Sequence, residues 1–377
     1  MKNILIVSPT ATHPVQGGSS ACILAYCRLL REEGHKVTFL WIKNFMVGAE
    51  EELAMRRYWG KDLIVFRKNF FHKLMEAFHR RLFFYRSGFF RLDSFYPWGI
   101  SPIVKRTLKQ HRFDTVIVNY VFLSRLFRFF KGSRKLLYTH DVFSLKYQKT
   151  GQPWFSLRPS DERKGLNRAD CILAIQNNEA LFFKSLTQRP VITTYSYFDF
   201  QETPYVEADS LLYLGGSNSY NVESVLWFID MVYKPLRDVL EGQVTLLIAG
   251  KICQVLDDLA NVDGVQLLGE VEDVGAFYSR GNIVVNPTFN GTGLKIKSFE
   301  ALSYGKVVVS HAHGIDGIFR PEACPIFSCT QPNEFLVVLK SLMREKELVM
   351  ARKAAAVKYM SSFQTEVKQA FMQAINY

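Results

Sequence analysis

Late in the chain a run of small residues leads into a cluster of charges: Asn290, Gly291, Thr292 and Gly293 are followed by Leu294, Lys295, Lys297 and Glu300. An ammonium beside a helix start suits a phosphate, because the unpaired backbone N–H groups there already favour an anion. Glu300 follows Lys297 by three positions, so the two lie on neighbouring parts of one helical face. A carboxylate so placed accepts hydrogen bonds from two vicinal hydroxyls. Together these groups can hold a nucleoside diphosphate by its phosphates and its ribose. The same two residues also read as an i,i+3 surface ion pair, worth about a few tenths of a kcal/mol.

The elements around that cluster form a strand–loop–helix–strand unit of a parallel sheet. Residues 283–285 are a short apolar run that Pro287 stops, 294–304 have helical spacing, Gly305 ends the helix and 307–309 make the next strand. The pattern recurs along the chain. Strand 4–8 is followed by a loop holding His13, Gly17 and Gly18, then by a helix from about residue 20 to 32 and a strand at 37–41. No G-x-G-x-x-G is present, which excludes a dinucleotide fingerprint at that loop. Further strands are expected at 63–66, 115–118, 136–138, 171–174 and 191–194. His140 and Asp141 stand just past strand 136–138, where open α/β sheets bind ligands; a lone histidine there also reads as structural. Residues 147–163 read as a long loop.

A polar stretch at 196–209 separates this series from a second one, with strands at 211–214, 244–249 and 265–268 and a helix over 221–239. Gly215, Lys251 and Gly269 each follow a strand of that second series. From residue 332 the chain is helical, with an interruption expected near Ser361-Ser362. The expected architecture is therefore α/β, with two Rossmann-like parallel-sheet domains facing across a cleft. Their spans are 1–198 and 208–360, followed by a terminal helix over 361–377.

Composition narrows the partners. The chain has 377 residues, 48% of them hydrophobic, and six cysteines without a C-x-x-C pair. That fits two compact domains in a reducing compartment, without a disulfide or zinc framework. The N-terminus reads as a first strand rather than a secretory signal, and no run has the 18 or so apolar residues that span a bilayer. The net charge of +12 is uneven: residues 1–200 hold 32 Lys and Arg against 15 Asp and Glu, and the remainder holds 15 against 20. Residues 68–92 are rich in both arginine and phenylalanine, with Phe70, Phe71, Leu74, Phe78, Leu82, Phe83 and Tyr85 near helical spacing. Such a helix lies on an anionic membrane surface, or packs on the sheet with its basic face in water. Residues 122–130 repeat the basic and aromatic character, yet no nucleic-acid-binding motif accompanies them, so nucleic acid is not an expected partner.

The segment GTGLKIKSFEALSYGKVVVSHAHGIDG resembles the donor-site signature of retaining glycosyltransferases of the GT-B fold, family 4. His13 to Gly18, His140-Asp141, Leu212 to Asn221 and VQLLGEVEDVGAFYSRGNIVVNP resemble other parts of the same pattern, so the resemblance covers nearly the whole chain. It implies that Glu300 takes the ribose hydroxyls and Lys297 neutralises the departing diphosphate. It also implies that Gly17 and Gly18 approach the phosphates, that His140 contacts the donor sugar, and that N–H groups of Gly291 to Leu294 complete the pocket. Gly269 to Val271 would border the base, and the terminal helix would return to the first domain. His13 and Asp141 are candidates on the acceptor side.

Two positions depart from the family pattern. Thr292 stands where many relatives have a first glutamate, and GSNSY at 216–220 lacks the usual basic residue, which Lys251 or Lys295 would have to replace. The implied activity is transfer of a hexose, with retention, from a nucleoside-diphosphate sugar to a glycan or lipid-linked acceptor; UDP- and GDP-sugars are the expected donors. No metal is expected, since lysine and a helix N-terminus replace a divalent ion. A cytoplasmic enzyme at the inner membrane face, making bacterial surface polysaccharide or lipopolysaccharide, fits the basic first half. An epimerase or phosphorylase of similar fold is the alternative among enzymes, and a basic nucleic-acid or membrane-surface module the alternative outside them.

Overall fold

The computed structural model describes the chain apart from residues 16, 45–47, 80, 83–86, 145–155, 291–295 and 377 and the side chains of 257 and 260. It divides into two units, Met1–Tyr197 with Glu366–Tyr377, and Phe198–Thr365.

In the first unit β1 (Asn3–Ser8), β2 (Lys36–Lys43), β3 (Leu63–Arg67), β4 (Thr115–Asn119), β5 (Arg134–Tyr138), β6 (Cys171–Ala174) and β7 (Val191–Thr193) form one parallel sheet. Their order is β3-β2-β1-β4-β5-β6-β7. Helices α1 (Gly18–Glu32), α2 (Ala49–Trp59), α3 (Phe70–His79), α4 (Ser101–Gln110), α5 (Pro159–Leu166) and α6 (Asn177–Leu186) fill the connections. Helices on both faces explain why the central strands read as unbroken apolar runs: Ile4 to Val7, Val116 to Val118 and Cys171 to Ala174 are all buried.

In the second unit β8 (Ser210–Leu214), β9 (Thr245–Ala249), β10 (Val265–Leu267), β11 (Ile283–Asn286), β12 (Val307–His311) and β13 (Phe327–Cys329) form a second parallel sheet. Its order is β10-β9-β8-β11-β12-β13. Helices α7 (Ser219–Phe228), α8 (Lys234–Val239), α9 (Val274–Tyr278), α10 (Ile296–Ser303), α11 (Pro332–Arg344) and α12 (Lys346–Asn376) accompany it. Both sheets have the doubly wound order, in which the winding direction reverses beside the first strand: between β1 and β4 in one unit, and between β8 and β11 in the other.

The last turns of α12 belong to the first unit. Phe371 stacks on Tyr26 at 5.6 Å and Tyr138 at 6.0 Å. Lys2 Nζ donates to the Ile375 carbonyl (2.6 Å) and Arg134 Nε to that of Ala374 (2.6 Å). Two cations therefore satisfy carbonyls that the helix end leaves unpaired, at the negative end of its dipole.

Several elements differ from the sequence reading. The helical tail breaks at Glu345, between α11 and α12, and runs unbroken through Ser361 and Ser362, whose side chains face solvent. The expected helix over 221–239 is divided by a π-helical turn at Ile229–Tyr233. Pro235 lies in the next turn; it lacks an N–H and crowds the carbonyl four residues back, which the wider turn accommodates. The long loop expected over 147–163 ends earlier, since α5 starts at Pro159, a residue suited to a first helical position; its residues 147–155 lie outside the described set. Helix α2 was missed.

Among the described residues of the basic aromatic stretch, α3 carries Phe70, Phe71, Leu74 and Phe78 of the pattern. Phe70, Phe71, Leu74 and Phe78 are 75%, 53%, 57% and 56% exposed, so this stripe does not pack on the sheet. Phe90 and Leu92, further along, are buried in the core. Phe83 and Tyr85 lie outside the described residues.

Two lysines of the second unit are inside it. Lys306 Nζ donates to the Gly281 carbonyl (2.6 Å), and Lys353 Nζ to those of Thr203 (3.1 Å) and Gly305 (3.0 Å). Burial, and then the charge of Lys353, pushes the Lys306 ammonium down from 10.5 to about 7. The unfolded chain holds its proton up to 10.5, so over that window it binds more protons than the folded one, and stability rises with pH. Urea midpoints measured from about pH 7 to 10 should rise less steeply in Lys306→Met than in the parent. Equal slopes would refute this account of Lys306.

Candidate functional site

In the second unit the described candidates Gly215, Lys251, Gly269, Lys297 and Glu300 follow strands at the carboxyl edge of the sheet. Lys297 and Glu300 are in the first turns of α10, which follows β11 at the switch point. Lys297 reaches back across the sheet edge to β8: its Nζ donates to the Tyr213 hydroxyl (2.8 Å) and to Asn221 Oδ1 (2.7 Å), and lies 4.7 Å from the centre of the Tyr213 ring. The Asn221 amide is oriented by the backbone, since its Nδ2 donates to the Gly216 carbonyl (2.9 Å), which can only accept. Asn218 caps α7 by accepting from the Asn221 N–H (2.9 Å). An ammonium, a Gly215-Gly216 turn and the N-terminus of α7 thus share one corner, a combination that attracts an anion. This is not the exposed ion pair that the i,i+3 spacing also allowed. It places the Lys297 ammonium beside the very loop where GSNSY lacked a basic residue.

Glu300 accepts from the Tyr278 hydroxyl (3.2 Å), and Tyr278 stacks on Tyr304 at 4.7 Å. Burial raises the Glu300 carboxyl, with the Tyr278 hydrogen bond and the Lys297 charge opposing it. The carboxylate keeps acceptor capacity that Tyr278 does not use.

Gly215, Gly250 and Gly269 bring three neighbouring strand ends into backbone contact. Gly250 N–H donates to the Gly269 carbonyl (2.7 Å), and the Gly215 carbonyl accepts from Ile252 N–H (3.1 Å). At Gly250 φ is +98°, and a Cβ there would run into the Gly215 carbonyl oxygen. Lys251 is exposed at the end of β9. The glycines of the donor-type loop, Gly291 and Gly293, lie with Thr292, Leu294 and Lys295 outside the described residues.

The first unit has its own constellation at the β1/β4 switch point. Gly17 (φ +87°) leads into α1 with open space where a Cβ would stand, and Gly18 is the first residue of that helix. His13 stacks on Tyr58 at 3.8 Å, 3.1 Å from the Thr12 hydroxyl, and burial followed by the charge of Arg28 lowers it to about 4. His140 follows β5 in a left-handed conformation (φ +64°), buried, with burial lowering it to about 3. Both imidazoles are therefore neutral near pH 7. Asp141 accepts from Val142 N–H (2.9 Å). Buried Glu162 holds the loop beyond, accepting from Phe143 N–H (2.9 Å), Ser144 N–H (2.8 Å) and the Ser144 hydroxyl.

Sequence reasoning missed Tyr213, Asn221, Tyr278, Asn119 and Tyr120, the partners that hold the selected groups. Only Asn218 left a signal, an asparagine three residues before another at a helix start. Among the described residues no group of three or more His, Cys, Asp or Glu is placed to hold a metal ion.

A family model described as glycosyl transferases group 1 matches residues 208–345. Among curated proteins, no relative matches the chain. Solved structures share the fold over essentially the full length at low identity. TarM from S. aureus has a TM-score of 0.69 at 10% identity, covering 100% of both chains, in a structure with fondaparinux, alpha-GlcNAc-glycerol and UDP. The pneumococcal O-GlcNAc transferase GtfA, with UDP and GlcNAc, has 0.70 at 10%, covering 100% of this chain and 98% of its own. Anabaena HepE with UDP-glucose has 0.65 at 12%, covering 99% and 100%.

Glycine 250 gives a direct test of the edge geometry. Gly250→Ala meets both the left-handed φ and the Gly215 carbonyl, and should cost about 1–3 kcal/mol of stability in the second unit. Gly17→Ala meets only the strained φ and should cost less. Thermal or urea unfolding that ranks the two variants the other way would contradict the contact.

Proposed function

We propose, from the premise that this chain is a glycosyltransferase of the GT-B fold whose second unit belongs to the glycosyl transferases group 1, that it moves a sugar from a UDP-sugar to a glycan or lipid-linked acceptor. The observation that carries this is the Lys297 ammonium fixed by Tyr213 and Asn221 beside the Gly215-Gly216 turn, one helical turn from the Glu300 carboxylate. The second unit takes the donor. Its diphosphate lies against Lys297 and the start of α7, and Glu300 accepts the ribose hydroxyls. UDP bound in the structures of TarM, GtfA and HepE favours uridine over guanosine as the base.

Negative charge grows on the leaving diphosphate as the glycosidic bond breaks. A lysine already held at that position stabilises the transition state more than the ground state, without reorganising. The acceptor hydroxyl attacks the anomeric carbon from the face the diphosphate leaves, giving retention without an enzyme nucleophile. The first unit is the acceptor side, with His13, His140 and Asp141 at its sheet edge.

The test is nucleotide binding and sugar-nucleotide hydrolysis by the purified protein with UDP-, GDP- and ADP-sugars. Glu300→Gln should bind UDP about 10- to 100-fold more weakly, the range for a lost hydrogen bond to a charged group. Lys297→Ala should lower kcat with little change in KM. A folded protein that binds no nucleotide would overturn the reading.

The exposed stripe of α3 supports a lipid-linked acceptor at the inner membrane face. Phe70, Phe71, Leu74 and Phe78 form an apolar surface, flanked by exposed Lys73, Arg81 and Arg91. Such a surface gains both apolar burial and attraction to anionic headgroups. Among the described residues no helix is long and apolar enough to cross a membrane. In vesicle flotation the protein should bind phosphatidylglycerol-containing vesicles, and replacing Phe71 and Leu74 together by serine should weaken that by at least about tenfold. Indifference of the parent protein to anionic vesicles would remove the membrane from the proposal.

A further inference from the structure

The Asn119–His140 pair at the edge of the first sheet fixes one particular imidazole tautomer. Asn119 is the last residue of β4 and is fully buried. Its Nδ2 donates to the Val7 carbonyl (3.1 Å) and to the Tyr26 hydroxyl (2.8 Å). A backbone carbonyl only accepts, so the amide has one possible orientation, and Oδ1 must face the imidazole. His140 Nε2 lies 2.8 Å from that oxygen and therefore carries the proton. A neutral imidazole has only one N–H, so Nδ1 is left with a lone pair. That atom is buried and has no hydrogen-bond partner among the described residues.

The ring is in contact with two tyrosines. It is stacked on Tyr120 at 4.5 Å and packed against Tyr138 at 4.6 Å. Tyr120 and His140 both hold left-handed backbone conformations without being glycine (φ +73° and +64°). They follow adjacent strands, and such strain persists where the surroundings over-determine it, often at working sites. The Tyr120 hydroxyl is 3.1 Å from the Thr10 hydroxyl, which joins the loop after β1 to the end of β4 across the switch point.

We propose that Asn119 is a positioning residue which holds His140 as the Nε2–H tautomer, so that Nδ1 accepts a hydrogen bond from a substrate hydroxyl. The inference rests on the glycosyltransferase reading for the identity of that substrate. An atom offering only a lone pair cannot bind an ionised phosphate or carboxylate, which have no proton to give. It can bind an alcohol. The hydroxyl comes from the donor's sugar or from the acceptor, and the two sources are separable by experiment.

The tautomer itself is read without any substrate. In full-length protein with 15N-labelled histidine, NMR at neutral pH should show His140 with a protonated Nε2 and a bare Nδ1, assigned by its loss in His140→Gln. Asn119→Leu should abolish that fixed pattern. Finding Nδ1–H in the parent protein overturns the proposal, whatever becomes of the variants.

Kinetics then ask whether Asn119 acts through His140. UDP-glucose and UDP-GlcNAc hydrolysis without acceptor reads the donor's hydroxyl, and transfer to alkyl glycosides reads the acceptor's. In the arm that uses the contact, Asn119→Leu and His140→Gln should each lose about three- to tenfold, the range of one neutral hydrogen bond. The double variant should lose no more than His140→Gln alone. Losses that multiply in the double variant, or that leave both arms unchanged, overturn the proposal. Failure of the parent to bind UDP at all would instead count against the reading of the second unit, which the tautomer measurement does not touch.

Discussion

A parallel sheet covered by helices on both faces has no room for chemistry in its middle. The interior positions of β1, β4 and β6 are all apolar, because an unpaired polar group there costs more than a side chain can recover. Reactive side chains are thereby driven to the strand ends, and among those ends to the place where the winding reverses and adjacent loops diverge. Both units obey this. Lys297, Gly215 and Glu300 surround the β8/β11 reversal, and Thr10, Asn119 and Tyr120 surround the β1/β4 reversal with His140 one strand further on.

The two edges are electrically different. In the second unit the edge carries a cation: Lys297 donates to one hydroxyl and one amide oxygen, one helical turn from Glu300. In the first unit burial strips the charge from both histidines. A charged corner suits a diphosphate, and a neutral one suits hydroxyl groups, whose weaker hydrogen bonds give direction rather than raw affinity. The basic excess of residues 1–200 is spread elsewhere, in part on the flanks of α3.

The alternation of short apolar runs with helical spacing made both sheets legible, since strands buried on two faces have no other way to be written. Glycines at strand ends and the Lys297–Glu300 spacing marked the second edge for the same reason: the backbone approach at Gly250 tolerates no side chain. What could not be read were partners distant in sequence. Asn221 and Tyr213 look like ordinary helix and strand residues, and Lys297 meets them only after the chain has crossed the sheet. Asn119 and Tyr120 give no local signal at all, because a left-handed tyrosine is a consequence of tertiary packing. Nor did spacing alone reveal that the aromatic stripe of α3 stays uncovered while Phe90 and Leu92 turn inward.

The final turns of α12 carry a consequence for how the chain is made. The first unit takes Phe371 into its aromatic core, and anchors the carbonyls of Ala374 and Ile375 on Arg134 and Lys2. The second unit, Phe198–Thr365, is a single continuous segment. On the ribosome the second unit can therefore reach its full set of contacts as soon as its own residues emerge, whereas the first, although synthesised earlier, waits for residues 366–376. Until then Tyr26 and Tyr138 lack the ring that covers them. For these two units the order of synthesis and the order of completion are reversed.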